Sequence, residues 1–124
     1  MEPSCSDRAD VAKNRLYIVL KGSIPDEMAK AAAEEVMAET KKLSAGFCVV
    51  NDISGMQPAG PRGAAEIKRA QAFLGYMGVR RIIRVAPSSG AGAAQQFENA
   101  TPGYPAANTA STIEEADAIL DKAT

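Results

Sequence analysis

Apolar positions fall in short blocks separated by polar stretches rich in glycine and proline. Residues 15–20 (Arg-Leu-Tyr-Ile-Val-Leu) predict a strand, because such side chains suit a pleated surface. After Gly22, Pro25 suits a first helical turn, where its missing N–H costs nothing. Asp26 and Glu27 complement the positive end of that helix, which the spacing carries to about Leu43. Met28, Ala32, Val36, Glu39 and Leu43 fall near one face at the helical period, with Met37 close by. Gly46 closes the helix, and residues 47–50 (Phe-Cys-Val-Val) read as a short central strand ending at Asn51-Asp52.

The stretch 54–63 holds Gly55, Pro58, Gly60, Pro61 and Gly63 and predicts a loop. A second helix follows, with Ile67, Ala70, Leu74 and Met77 inward and Gly78 at its end. Residues 80–86 predict a strand built on Ile82, Ile83 and Val85. Residues 87–92 form a turn, 93–100 a short helix and 104–110 a brief edge strand. Ser111 or Thr112, with Glu114 or Glu115 three residues on, gives a capping box for a last helix with Ile113, Ala116 and Leu120 inward. Strands alternating with helices predict an α/β domain with a mostly parallel central sheet of about four strands and four helices.

Residues 1–12 have the polar character of a disordered N-terminal tail, which leaves residues 13–124 as one domain. The 124-residue length suits one domain, and 46% apolar residues supply its core. With aromatics at only 5%, that core rests on Ala, Val, Ile, Leu and Met. No stretch is apolar over a bilayer's width and no signal-peptide pattern opens the chain, so a cytoplasmic location is expected.

The net charge of −1 argues against nucleic acid as a partner. Its distribution is uneven. Arg62, Lys68, Arg69, Arg80, Arg81 and Arg84 cluster in sequence around a single acid, Glu66. Such a basic middle either solubilises the chain or orients an anionic partner.

The chain has no histidine. That removes the usual general base near neutral pH, the usual nitrogen ligand of metals and any Ser-His-Asp or Cys-His arrangement. Two cysteines are too few for a zinc site. Cys48 reads as a small buried hydrophobe, and a disulfide to Cys5 in the tail is not expected. No enzyme, metal site or cofactor is therefore expected.

The candidate site residues are few. Gly60-Pro61-Arg62-Gly63 is too short, and lacks the lysine, for a phosphate-binding P-loop. Ser88 and Ser89, before Gly90, form either a flexible turn or an anion cradle. Asp52, at a strand end, is either a turn residue using its carboxylate on nearby N–H groups or a ligand group. A pairing of Asp52 with Glu66 is conceivable, though no spacing fixes it. Arg84 lies inside an apolar strand and needs a partner, either Asp52 or an external anion.

The order of elements, with Val49-Val50-Asn51-Asp52-Ile53-Ser54-Gly55 before a helix, resembles the STAS domain of the anti-sigma-factor antagonists. Asp52-Ile53-Ser54-Gly55 falls on that family's Asp-Leu-Ser-Gly. Gly60-Pro61-Arg62-Gly63 falls on its Asp-Ser-Ser-Gly, and Thr112-Ile113-Glu114-Glu115-Ala116 looks like its last helix. Arg62 then occupies the position of the phosphorylated serine, so the resemblance implies no phosphorylation switch. Residues 70–74 and 78–85 are similar to a divergent SpoIIAA-like branch, related in fold to lipid-binding Sec14 domains.

The resemblance implies a non-enzymatic regulatory module binding another protein's acidic patch through Asp52, Ser54, Gly55, Arg62 and Gly63. Arg84, Ser88 and Ser89 are a second, anion-binding candidate. The alternative is a carrier or sensor of a small apolar or amphipathic ligand. Its motivation is the Ala- and Met-rich helices, which leave room, and it requires a pocket between the sheet and a helix. A homodimer is compatible with either.

Overall fold

The computed structural model describes residues 2–86 and 108–122. Its strands are β1 (Ser4–Asp10), β2 (Arg15–Gly22), β3 (Cys48–Met56), β4 (Arg81–Val85) and β5 (Asn108–Ala110). Its helices are α1 (Asp26–Thr40), α2 (Pro61–Tyr76) and α3 (Ile113–Lys122). The five strands form one sheet in the order β1-β2-β3-β4-β5. β1 is antiparallel to β2, while the other three pairings are parallel. The α/β class and the mostly parallel sheet match the sequence pattern. The expected four strands and four helices become five strands and, among the described residues, three helices.

The first correction is the N-terminal tail. Residues 4–10 are an edge strand, registered from Ser4 opposite Lys21 to Asp10 opposite Arg15. The turn between them uses Asn14 at φ 52°, a left-handed conformation asparagine tolerates better than most residues. Its Oδ1 accepts the Ser44 N–H at 2.9 Å. The inward positions of β1 are Cys5, Asp7 and Ala9, which join the core layer beneath α1. Two are small and the third is acidic, so the period-2 signal of a strand is hidden in a segment that reads as polar throughout.

An edge strand exposes unpaired N–H groups. Here α1 covers them: Glu35 accepts the Asp7 N–H at 3.1 Å and Glu39 the Ala9 N–H at 3.0 Å. Glu39 therefore does not face the core as the helical period suggests. The buried residues of α1 are Ala33, Val36 and Thr40. The helix stops there, three residues before Leu43, with the buried Thr40 hydroxyl donating back to the Val36 carbonyl at 2.6 Å.

β3 is longer than its apolar run. It continues through Asp52, Ser54 and Gly55 to Met56, pairing with β2 as far as Gly22. Ile53 and Met56 add their side chains to the core, and an irregularity opposite Val19 and Lys21 absorbs one extra residue. The expected loop shrinks to residues 57–60. Pro61 then opens α2, whose buried residues are Gly63, Ile67, Ala70, Gln71 and Leu74.

Both faces of the sheet are covered. Leu16, Ile18, Leu20, Val49, Ile53 and Ile82 pack under α1 and α2. Tyr17, Cys48, Val50, Ile83, Val85 and Ala110 pack under α3 through Ala116 and Leu120. The capping box of α3 forms as expected: the Thr112 hydroxyl accepts the Glu115 N–H at 3.1 Å, and the Glu115 carboxylate accepts the Ser111 N–H at 3.3 Å. The turn and helix expected at 87–100, with the first part of the strand expected at 104–110, lie outside the described residues. No helix among those described is long and apolar enough to cross a membrane.

Candidate functional site

The residues expected to form one partner surface are divided by the sheet. Asp52 alternates with Val50 and Cys48 towards the α3 face, whereas Arg62 stands exposed on α2, over the opposite face. The Asp52 carboxylate is turned on its own chain, accepting the Ser54 N–H at 3.0 Å and the Ser54 hydroxyl at 2.7 Å. It acts as a turn carboxylate within the bent end of β3. Gly55 is half-buried beside it. Gly63 is buried, and a Cβ there would come within 2.9 Å of the Ala59 Cβ. Its role is close packing of α2 against Ala59 and Ala29.

Arg62 shares a shallow groove at the N-terminal ends of α1 and α2 with Asp26, Glu27, Lys30, Ala65 and Glu66. Carboxylates of its own chain thus flank it. Glu66 pairs with Arg69 at 2.7 Å, so no Asp52–Glu66 couple forms. The basic run is likewise dispersed: Arg81 bonds Asn108 at 3.0 Å, and Arg80 approaches the Cys48 sulfur at 3.7 Å.

Arg84 is fully buried on the α1/α2 face, in register with Asn51. Asp52 lies opposite Val85 and points to the other face, away from Arg84. Ser88 and Ser89 lie outside the described residues.

The register places Arg84 in a row that sequence spacing alone does not expose. Asp7, Ile18, Asn51 and Arg84 are successive partners across β1, β2, β3 and β4. All four are buried, so a mostly polar row crosses the middle of an apolar sheet face. Gln71, 3% exposed, comes down from α2 on the same side. Several of these groups lack hydrogen-bond partners: both Asp7 carboxyl oxygens, both amide atoms of Asn51 and the Gln71 Oε1. Each such group normally costs about 1–3 kcal/mol, so their concentration in one layer requires explanation.

Asp7 and Gln71 line a groove between the sheet and the α1–α2 pair. Its walls are Ile18, Leu20, Ile24, Val36, Met56 and Ile67, with Ala29, Ala32, Ala33, Ala59, Gly63 and Ala70 along the helix side. The interior cavity is about 40 Å³, enough for a few atoms the size of water, and the empty space is about 490 Å³ with the open mouth included. Small residues on both helices hold the space open.

Burial, then the Glu35 and Glu39 charges, push the Asp7 carboxyl up to about 8. Glu35 accepts the Asp7 N–H, and it also lies close enough to the Asp7 carboxyl for a hydrogen bond between the two that favours protonated Asp7. Burial and the Asp7 and Glu35 charges also raise the Cys5 thiol to about 11, which keeps it from being a nucleophile at neutral pH.

The opposite face carries a second polar cluster, and there the charges are paired, with the Arg15 Nε left without a partner. Arg15, 4% exposed, bonds Asp117 at 2.8 Å and Asp121 at 2.9 Å, and the Tyr17 hydroxyl donates to Asp117 at 2.6 Å. The Arg8 guanidinium lies 4.6 Å from the centre of the Tyr17 ring. This cluster ties α3 to β2.

Asp7, Asn51, Gln71 and Arg15 were not singled out by their sequence context. The available signal was the spacing of Asp117 and Asp121, four residues apart on a helix beginning with a clear cap. Among the described residues no three ligating side chains converge on a metal position. No family model and no curated protein matches the chain significantly.

Proposed function

We propose that this protein is a binding domain that holds a small amphipathic molecule in the groove between the sheet and the α1–α2 pair. The observation that carries the reading is the presence of buried oxygens of Asp7 and Gln71 inside a groove whose other walls, Glu66 apart, are apolar. Ligand sites are typically apolar walls with a few placed polar groups, and this groove has that composition. Its interior is smaller than the several hundred Å³ of a drug-sized site, so the head group enters and the apolar remainder lies in the mouth. The reading makes the domain a carrier or sensor acting by binding rather than turnover, in keeping with a chain that contains no histidine.

The resemblance to STAS and SpoIIAA-like domains also favours binding over catalysis. Its protein-partner form is the weaker reading, because Asp52 and Arg62 lie on opposite sides of the sheet and Gly63 is buried.

Native mass spectrometry of the full chain, purified without detergent, tests the proposal. The expected result is an added mass that leaves on denaturation and is reduced in Ala33→Leu, which fills the groove. Bare wild-type protein, or an adduct equally abundant in the folded variant, counts against it.

A further inference from the structure

We propose that the head group held in this groove is a primary ammonium, and that Asp7 is its anchor. The inference rests on the ligand-binding reading above and names the class of ligand. Three observations carry it. The polar side chains lining the groove are Asp7, Glu66 and Gln71, and the Asp7 carboxylate, once ionised, and the unpartnered Gln71 Oε1 present acceptors to a donor. An ammonium group offers three donors from one compact atom, which fits the narrow interior.

The second observation is charge. Asp7 and Glu66 line the groove, and Glu35 and Glu39 reach the β1 edge beside it. Of the nearby cations, Arg69 pairs with Glu66 and Lys42 with Glu39, while Arg84 is buried at the far end of the row, three strands from Asp7. A cation is attracted to such a setting and an anion repelled, the more so within low-dielectric walls. The third is shape: alanines and Gly63 line the helix side, which suits a short unbranched alkyl chain.

Binding transfers a proton and makes no covalent bond. In the empty groove at neutral pH the Asp7 carboxyl is mostly protonated, since its pKa is raised to about 8. On binding, Asp7 gives its proton to solvent and its carboxylate pairs with the ammonium. The groups facing Asp7 are Cys5 on its own strand, Glu35 and Glu39 from α1 and Glu66 from α2. Glu35 and Glu39 oppose a negative Asp7, and an ammonium relieves that opposition. The Cys5 thiol is neutral at this pH, and Glu66 is paired with Arg69. Affinity should therefore rise with pH until Asp7 is ionised, by about tenfold between pH 6 and pH 7.

The test is a methyl-NMR titration of the full chain with butylammonium, 1-butanol and butanoate at equal concentrations. Butylammonium should shift the methyls of Ala33, Met56 and Ile67, bind about tenfold more tightly at pH 7 than at pH 6, and lose at least about tenfold in affinity in Asp7→Asn. The pH series needs no variant, so it stands even where Asp7→Asn folds poorly. Butanol or butanoate binding as tightly as butylammonium, a pH-independent affinity, or full binding by folded Asp7→Asn overturns the ammonium proposal and leaves the groove reading intact. Silence of the groove methyls towards all three probes overturns the ammonium proposal. The added mass sought in native spectra then decides the groove reading separately.

Discussion

The two faces of the sheet bury polar groups in opposite ways. Beneath α3, Arg15 meets two carboxylates and Tyr17 meets one of them, so the buried charges are paired and only the Arg15 Nε is left over in that cluster. Beneath α1 and α2, Asp7, Asn51 and Gln71 lie equally deep with atoms left unpartnered, and two of the three border an open groove. A satisfied buried cluster fixes one element against another. An unsatisfied one, beside space, marks where the fold leaves interactions for a guest. Burial alone does not separate the two cases; the fate of each donor and acceptor does.

The largest expected effect breaks the closed face. Arg15→Met leaves the Asp117 carboxylate, whose side chain is 28% exposed, with only the Tyr17 hydroxyl. Removing one partner of a fully buried pair costs about 3–5 kcal/mol. With Asp121 more than half exposed, a loss of about 2–4 kcal/mol is expected in urea unfolding at pH 7. A loss below about 0.5 kcal/mol would show that the cluster behaves as an exposed pair and that the two faces do not differ as argued.

The second prediction uses pH, to which the faces respond with opposite signs. Asp7 is protonated in the folded chain up to about pH 8, while in the unfolded chain it ionises near its ordinary value of 3.8. Between these values the unfolded state binds fewer protons, so stability falls as pH rises, by at most about 1.4 kcal/mol per pH unit. Asp121 behaves the other way. Its bond to Arg15 holds its pKa down, so its contribution is present above its ordinary range and lost as pH falls through the lowered value. Asp7→Asn removes the first effect. It should match wild type near pH 4 and be more stable by about 1–3 kcal/mol near pH 7. Parallel stability curves for the two proteins from pH 4 to 8 would mean that Asp7 is not the buried acid described.

What was legible in the sequence follows the same division. The α3 face came through well: Ile83 and Val85 alternate on β4, and Thr112 with Glu115 marks the helix start. The α1/α2 face was harder because polar residues occupy its inward positions. Asp7 hides β1 inside an apparent tail. Asp52 and Ser54 resemble the start of a loop, although Ile53 and Met56 continue the strand's inward side. Strand register is what aligns Asp7 with Asn51 and Arg84, and beyond the β1–β2 hairpin it depends on contacts between segments more than 30 residues apart. Gln71 sits one position from Ala70 on a helix whose apolar stripe is narrow, and only packing shows it to be inside. The candidate surface failed for a related reason. Short motifs placed Asp52 and Arg62 close in sequence, but a strand end and the following helix present side chains on different sides of the sheet.

The smallest expected effect sharpens the comparison from the open side. Gln71→Leu exchanges a buried amide, whose Oε1 has no partner, for an apolar group of similar volume. Within a closed network such a change strands other groups and costs stability. In the groove it removes an unmet acceptor and extends the wall formed by Ile67 and Ala70. The expected outcome is a change between zero and about 1 kcal/mol of added stability, read by thermal unfolding at pH 7. The cap variant Thr112→Ala, on the closed face, should lose about 1 kcal/mol in the same assay. Opposite signs for two modest surgical changes would separate a face whose buried charges are paired from one whose polar groups await a partner. A clear loss in Gln71→Leu would mean that Gln71 is integral to the packing of α2, leaving Asp7 as the sole open anchor of the groove.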